Sequence, residues 1–441
     1  MKRLLIFLSC IFIAEQASAF VYPVFDTLLA NGLKVIVCEK PATVAGEGFA
    51  ELEVWYRVGS KDEKDGTRGM AHLFEHMMFR GTKNYSGETF THRMDSVGAE
   101  WNAYTTFDRT VYHEFLPVAA LDMAMMLEAD RMQNLDVTQE ILDTEREVVG
   151  QEYRNGISNW YRKMQLDRYA MLYPQGHPYA VDVIGNLDEV TSFTSEQCMK
   201  FYNEHYSPGK AFVIIVGDVK HSDVFKTAAK TFGAIYVVPE QIAVGSGYHP
   251  MLNTHVKGLE MNMDFPLQIY CFSFPQPPAS DKDFFAFDMI MSVLFSDDNS
   301  ILNERLVKEE HSAFGVVSVG EAWSLFPSRT QVDVFMPPSP GNLRVKKAIR
   351  EEIDDVIANG LPQEKMNDFI SNLEASQIMG AYYAENIAHE LGMAEYYFRD
   401  YKKADTMIDS YKAVTQEDIK RVAGDYMRAE QVDVINIKPA E

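Results

Sequence analysis

Residues 69–82 read Gly69-Met70-Ala71-His72-Leu73-Phe74-Glu75-His76-Met77-Met78-Phe79-Arg80-Gly81-Thr82. The apolar run from Met70 to Phe79 has helical spacing, which predicts a helix. On a helix, residues four apart lie one above the other, so the imidazoles of His72 and His76 point the same way. Zinc accepts histidine nitrogens at about 2.0–2.1 Å. Glu75 follows His72 by three residues and shares that face, where it can take a proton from water at a metal. The order is H-x-x-E-H, the reverse of the commoner H-E-x-x-H. Two ordinary histidines on a solvated or core-edge helix would leave the same five letters.

A catalytic zinc keeps three protein ligands and an open fourth position. The third ligand must therefore come from another element. The run Glu145-Arg146-Glu147-Val148-Val149-Gly150-Gln151-Glu152 is suited to supply it. Glu145 and Glu152 are seven residues apart and share one helix face two turns apart. Val148 and Val149 lie on or beside that face, so part of it is expected to be buried. A buried carboxylate wants a cation or a donor. Taken by itself, the run also fits a charged, solvated helix.

Outward from these two stretches the chain alternates strands and helices. Thr27 to Lys40 reads as two short strands around the turn Asn31-Gly32. Glu51 to Val58 alternates apolar and polar residues and reads as a third strand. Helical patterns run from Ala119 to Asn134 and from Thr138 to about Met171. Met123, Met125 and Met126 read as core within the first of these. Thr194-Ser195-Glu196 opens a helical stretch to Tyr206, followed by a strand from Phe212 to Val216. Thr415-Gln416-Glu417 opens another to Tyr426, followed by a strand from Val432 to Ile437. That repeated ending predicts a duplicated α+β unit. Pro239, Gly245, Gly247 and Pro250 mark residues 237–250 as the linker between halves at 20–236 and 251–441. His177-Pro178-Tyr179 reads as a loop feature, and Glu351-Glu352-Ile353-Asp354-Asp355 as a solvated face.

Composition narrows the function classes. A chain of 441 residues suits two or more domains. A net charge of −23 argues against nucleic-acid binding, because phosphates would be repelled. Lys2 and Arg3, the apolar stretch from Leu4 to Ala14, and Ala17-Ser18-Ala19 make residues 1–19 a secretory signal peptide. The mature chain is then expected to begin near Phe20, in a bacterial periplasm or, alternatively, as a secreted protein. That stretch is too short to span a bilayer, and no later transmembrane candidate follows. Cys38, Cys198 and Cys271 remain after processing. They are odd in number and widely spaced, so they read as buried thiols, with one disulfide open.

The stretch Val54-Trp55-Tyr56-Arg57-Val58-Gly59-Ser60, taken with residues 69–82, resembles the pitrilysin/insulinase family of zinc peptidases. It looks closest to the branch of mitochondrial processing peptidase and its bacterial relatives. The resemblance is strong from about Phe20 to Val219 and weaker from about Met251 onward. It implies an α+β fold of two homologous halves, each a mainly antiparallel sheet with helices packed on one face, around a cleft. It implies one Zn²⁺ per chain, held by His72, His76 and Glu152, with Glu145 in support and Glu75 as general base. Gly98 to Thr106 resembles the strand that binds the substrate backbone, with Asn102 and Ala103 facing the peptide. An exposed edge strand takes an extended peptide in this way.

The resemblance also implies a partner. Self-sufficient members carry an Arg and a Tyr seven residues apart in the second half. Here Val307 and Phe314 stand at those positions, and there is no Tyr between Tyr270 and Tyr382. The expectation is a zinc metallopeptidase acting as the metal-bearing subunit of a heterodimer, with a homologous subunit supplying Arg and Tyr. A homodimer, and a non-catalytic peptide-binding subunit of the same fold, are the alternatives.

Overall fold

Strand β1 (Val24–Leu28) turns at Asn31-Gly32 into β2 (Lys34–Glu39), antiparallel, with Phe25 opposite Val37. A computed structural model describes this hairpin and the rest of residues 22–42, 48–174, 176–236, 259–263, 265–320, 322–338 and 343–439. The expected signal peptide and the expected linker at 237–250 lie outside the described residues.

The first sheet continues with β3 (Phe49–Tyr56), β4 (Glu100–Thr105), β5 (Thr110–Pro117) and β6 (Ala211–Gly217), in the order β1-β2-β6-β3-β5-β4. The second contains β7 (Leu259–Met263), β8 (Gln268–Gln276), β9 (Gly315–Val319), β10 (Ser328–Met336) and β11 (Asp433–Pro439), in the order β7-β11-β8-β10-β9. Apart from β1, the two orders are the same. Each has one parallel pair, β2 with β6 and β7 with β11, and is otherwise antiparallel. The duplication in the sequence is thus a duplication of topology. The repeated endings match in detail too. Thr194 caps the helix Ser195–His205 with Gln197 returning the bond, and Thr415 caps Gln416–Tyr426 with Asp418 doing so.

The helical pattern from Thr138 to Met171 is broken where periodicity suggested continuity. It forms two helices, Gln139–Ser158 and Trp160–Leu172. Asn159 leaves the helical region at φ −82°, ψ 114°, and its Oδ1 accepts from the N–H groups of Tyr161 (3.0 Å) and Arg162 (3.1 Å). An asparagine that satisfies two orphan donors starts a new helix as readily as it continues an old one.

That break sends Trp160–Leu172 across to the other half. Met164 and Leu172 bury against Ile269, Cys271, Ile435 and Ile437 of the second sheet. The exchange is reciprocal. The helix Ala384–Phe398 crosses back and buries Ile387, Leu391 and Tyr396 against Trp55, Phe212 and Ile214 of the first sheet. Each half's own helices cover one face of its sheet, and a helix from the other half covers the opposite face. A buried ion pair, Arg168 to Asp333 at 2.5 Å, joins the crossing helix to β10, and Tyr161 donates to the same carboxylate at 2.9 Å. The face of β3 that alternation alone would leave to water is therefore inside. Glu51 is 1% exposed and Glu53 4%. Trp55 Nε1 donates to Glu53 at 2.6 Å, and burial pushes Glu51 up to about 9 and Glu53 to about 8.

Gly392 is where the crossing helix meets Trp55. A Cβ there would sit 2.1 Å from the indole Cζ2 and 2.3 Å from Cε2. The Gly392→Ala protein is expected to unfold earlier, by about 1–3 kcal/mol or more. An unchanged thermal midpoint would show that the helix rests less closely on the sheet.

The remaining expectations resolve simply. Cys38, Cys198 and Cys271 are buried and unpaired. Met125 is in the first core, with Met123 and Met126 packed against it. His177 is fully buried, its Nε2 3.1 Å from Pro327 O and its Nδ1 accepting from Tyr179 N–H at 3.0 Å. Glu351 and Glu352 pair with Arg305, and Asp354 with Arg350. Among the described residues, no helix is long and apolar enough to cross a membrane.

Candidate functional site

The helix Met70–Met77 is fixed before its first turn. Gly69 precedes it at φ +98°, a conformation that favours glycine. A Cβ on Gly69 would also meet Val190 Cγ2 at 2.7 Å and Ile184 O at 2.8 Å. The buried Glu63 carboxylate accepts from the N–H groups of Gly69 and Ala71, each at 2.8 Å. Burial pushes Glu63 up to about 8, against these two N–H groups at the positive end of the helix. Met70, Ala71, Leu73, Phe74 and Met77 enter the first core, so His72, Glu75 and His76 turn away from it.

The helix Gln139–Ser158 packs alongside and brings in both glutamates. Glu152 Oε2 lies 3.7 Å from His72 Nε2 and 3.5 Å from His76 Nε2. One donor atom from each of His72, His76 and Glu152 falls within 4.8 Å of the others. A tetrahedral metal with bonds of about 2.0–2.1 Å spaces its donors by about 3.3 Å. The donor set is thus near the spacing zinc requires, in the chemistry zinc prefers. Glu145 lies behind it, fully buried. Its Oε2 is 3.5 Å from His76 Nδ1, and its Oε1 is 2.6 Å from Arg80 Nε. His76 therefore shows one nitrogen to Glu152 and the other to Glu145, the arrangement in which a second carboxylate orients a ligating imidazole.

The electrostatics agree with a cation site. Burial, helped by His76 and Arg162, holds His72 down to about 3, so it is neutral and free to ligate. Burial also works to lower His76, but Glu145, Glu152 and Glu75 outweigh it and raise it above its ordinary value. That net rise reports a negative potential in the pocket, which favours a divalent cation equally. Burial works upward on Glu145, but His76 and Arg80 outweigh it and hold the carboxylate low. Burial raises Glu75, against the pull of hydrogen bonds from Thr105. A carboxyl raised in this way is a better base near neutral pH.

Thr105 ends β4, and among the described residues β4 is an edge strand paired only with β5. Ala103 is buried and Asn102 exposed, on opposite faces. Asn102 Oδ1 accepts from Ala103 N–H at 2.9 Å, so the side chain expected to meet a peptide covers a backbone donor of its own strand. The strand and the helix bearing Glu75 meet at Thr105.

Four of the seven expected site residues, His72, His76, Glu145 and Glu152, thus converge on one point. Glu75 lies between that point and β4, and Asn102 and Ala103 lie along β4. Periodicity carried no signal for Glu63 or Thr105. Arg80 could have been found, since it follows His76 by four residues.

In the second half, Val307 packs partly buried against the second core and Phe314 is 61% exposed. Arg305 is bound to Glu310 (2.8 Å), Glu351 (2.6 Å) and Glu352 (2.7 Å). Lys308 Nζ is 3.4 Å from Asn299 Oδ1. The nearby cations that would substitute for a missing Arg thus have partners of their own.

Comparisons with known proteins agree. A zinc protease, PqqE, from Helicobacter pylori is 28% identical over 430 residues, covering 93% of this chain and 92% of that one. A probable mitochondrial-processing peptidase subunit beta from Schizosaccharomyces pombe is 28% identical over 220 residues, covering 50% of this chain and 47% of its own. A crystal structure of a protease from Helicobacter pylori superposes with a TM-score of 0.84 at 25% identity, covering 95% of this chain and all of that one. A crystal structure of a peptidase M16 inactive domain from Pseudomonas fluorescens has the same fold at 17% identity, with a TM-score of 0.82 over 95% of this chain and 98% of its own. Residues 42–182 match the model of the insulinase family, peptidase family M16, and residues 192–373 match that of the M16 inactive domain. The two matches divide between them a chain whose H-x-x-E-H helix is in the first and whose repeated topology continues through the second, and the chain belongs to the insulinase family of peptidases.

Proposed function

We propose that this chain is a zinc metalloendopeptidase that hydrolyses peptides or unfolded polypeptides, as the metal-bearing subunit of a heterodimer. The observation that carries the reading is the convergence of His72 Nε2, His76 Nε2 and a Glu152 oxygen beside Glu75 and a free sheet edge. Zinc, when bound there, lowers the pKa of its water toward about 7 and polarises the scissile carbonyl. The chain's own residues do the rest. His72 presents a neutral imidazole nitrogen, His76 does so once a bound cation displaces its proton, and Glu145 fixes the orientation of His76. Glu75 takes the proton from the attacking water and passes it to the leaving amine. The edge of β4 aligns an extended backbone across the site by strand addition.

Negative charge develops on the carbonyl oxygen, and catalysis gains most from a donor placed there. Val307 and Phe314 offer none, and Arg305 is held by three carboxylates. This is the support for a homologous partner that brings Arg and Tyr. The test is to load the purified chain with zinc and assay an unstructured peptide with and without a homologous chain lacking H-x-x-E-H. Activity is expected mainly from the mixture. Full activity from the chain alone, unchanged by addition, would rule the partner out in favour of a self-sufficient monomer or homodimer. A protein that binds no zinc would instead favour the non-catalytic, peptide-binding reading.

Export is proposed with this function, to the periplasm or outside the cell, on residues 1–19 alone. Mass spectrometry of exported protein is expected to find a terminus at or near Phe20. An intact Met1 would contradict it.

A further inference from the structure

Between Thr105 and the start of β5 the chain makes one tight turn, Thr106-Phe107-Asp108-Arg109, closed by a bond from Thr106 N–H to Arg109 O at 2.8 Å. The same turn is knitted to the loop that leads toward the histidine helix. Ser60 N–H donates to Thr106 O at 3.3 Å, and Lys61 N–H to Phe107 O at 2.9 Å. At its tip Asp108 is 1% exposed. Its Oδ1 accepts from Tyr179 Oη at 2.6 Å. Its Oδ2 accepts from Leu325 N–H at 3.0 Å and Tyr397 Oη at 3.2 Å. Its carbonyl accepts from Lys61 Nζ at 2.8 Å and from Tyr396 Oη. Leu325, Tyr396 and Tyr397 belong to the second half, so three of these five bonds exist only while the halves are docked.

We infer that Asp108 is a positioning residue, which clamps the β4–β5 turn between the two halves and thereby holds the peptide-binding edge and Thr105 against Glu75. The inference rests on the proposed peptidase reading for its kinetic consequence only. A buried carboxylate without its donors is costly, so the turn and the docking of the halves stand or fall together. Two residues separate Thr105 from Asp108, too few to absorb a shift of the turn. A displacement near 1 Å at reacting groups costs on the order of 100-fold in rate.

Asp108→Asn keeps the size but sets an amide N–H₂ against groups that themselves donate. Tyr397→Phe removes one donor. Both are compared with Ile349→Ala, a second-core variant far from the turn, assayed at a temperature where all are folded. The catalytically competent assembly is used for kinetics, and the zinc-loaded chain for amide hydrogen exchange by mass spectrometry. For Asp108→Asn, kcat is expected to fall by about 10- to 100-fold, with KM moving less and zinc stoichiometry unchanged. Exchange is expected to quicken across residues 100–110 and not in Gln139–Ser158. Tyr397→Phe is expected to move both readouts the same way by less, and decides the matter if Asp108→Asn does not fold. A loss of kcat no greater than that of Ile349→Ala, or unaltered exchange at 100–110, overturns the inference. Should the wild-type protein cleave no peptide, the functional reading fails, and the exchange comparison alone still decides whether Asp108 holds the strand.

Discussion

Glu75→Gln is expected to abolish peptide hydrolysis while the protein keeps one zinc per chain. Glutamine fills the same space and keeps a hydrogen-bond acceptor for Thr105, but it cannot take a proton from water. The expected fall in kcat is about 100- to 10,000-fold, the usual contribution of a positioned general base. Zinc should stay, because the proposed donors are His72, His76 and Glu152, while the Glu75 carboxyl bonds to Thr105. Metal content and turnover are measured on the same preparation, so that loss of zinc cannot pass for loss of the base. Near-normal turnover from the Glu75→Gln protein would sink its assignment.

Removing a ligand should cost both metal and activity, and the two glutamates should differ in degree. His72→Ala or His76→Ala takes away one of two nitrogen donors and is expected to leave a protein without bound zinc. Glu152→Gln removes the charged oxygen 3.5–3.7 Å from both Nε2 atoms and is expected to weaken zinc strongly. Glu145 meets the far nitrogen of His76, so Glu145→Gln acts through orientation. Its effect on affinity is expected to be about 10–100-fold at most. Titration with a competing chelator ranks the four variants. If Glu145→Gln lost zinc entirely while Glu152→Gln kept it, the ligand would have to be reassigned. Glu145→Gln also unpairs the half-exposed Arg80, which adds a small structural penalty that the Glu152 variant lacks.

Much of this site was legible in one dimension because helical geometry is local. The i, i+4 spacing of His72 and His76 and the seven-residue spacing of Glu145 and Glu152 place each pair on one face, whatever the rest of the chain does. The duplication was legible for a similar reason, since each half closes with the same capped helix and following strand. The long motif around H-x-x-E-H, through its resemblance to a known family, carried the assignment of Glu152 over Glu145. Spacing alone left that open, because both glutamates lie on the same stripe.

Other features were decided only when the chain closed on itself. Residues 138–171 carry one helical period throughout, yet the helix stops at Asn159 because its side chain can satisfy the donors of a new one, and because Met164 and Leu172 bury on the other half's sheet. The alternation of β3 told that Glu51, Glu53 and Trp55 share a face, but not that the distant helix Ala384–Phe398 covers it. Likewise, Thr105, Glu63 and Asp108 stand in stretches without period, and their partners are set by folding. A side chain's face follows from its neighbours in sequence, since a few backbone angles determine it. What that face meets follows from contacts between distant segments, and those exist only in the tertiary structure.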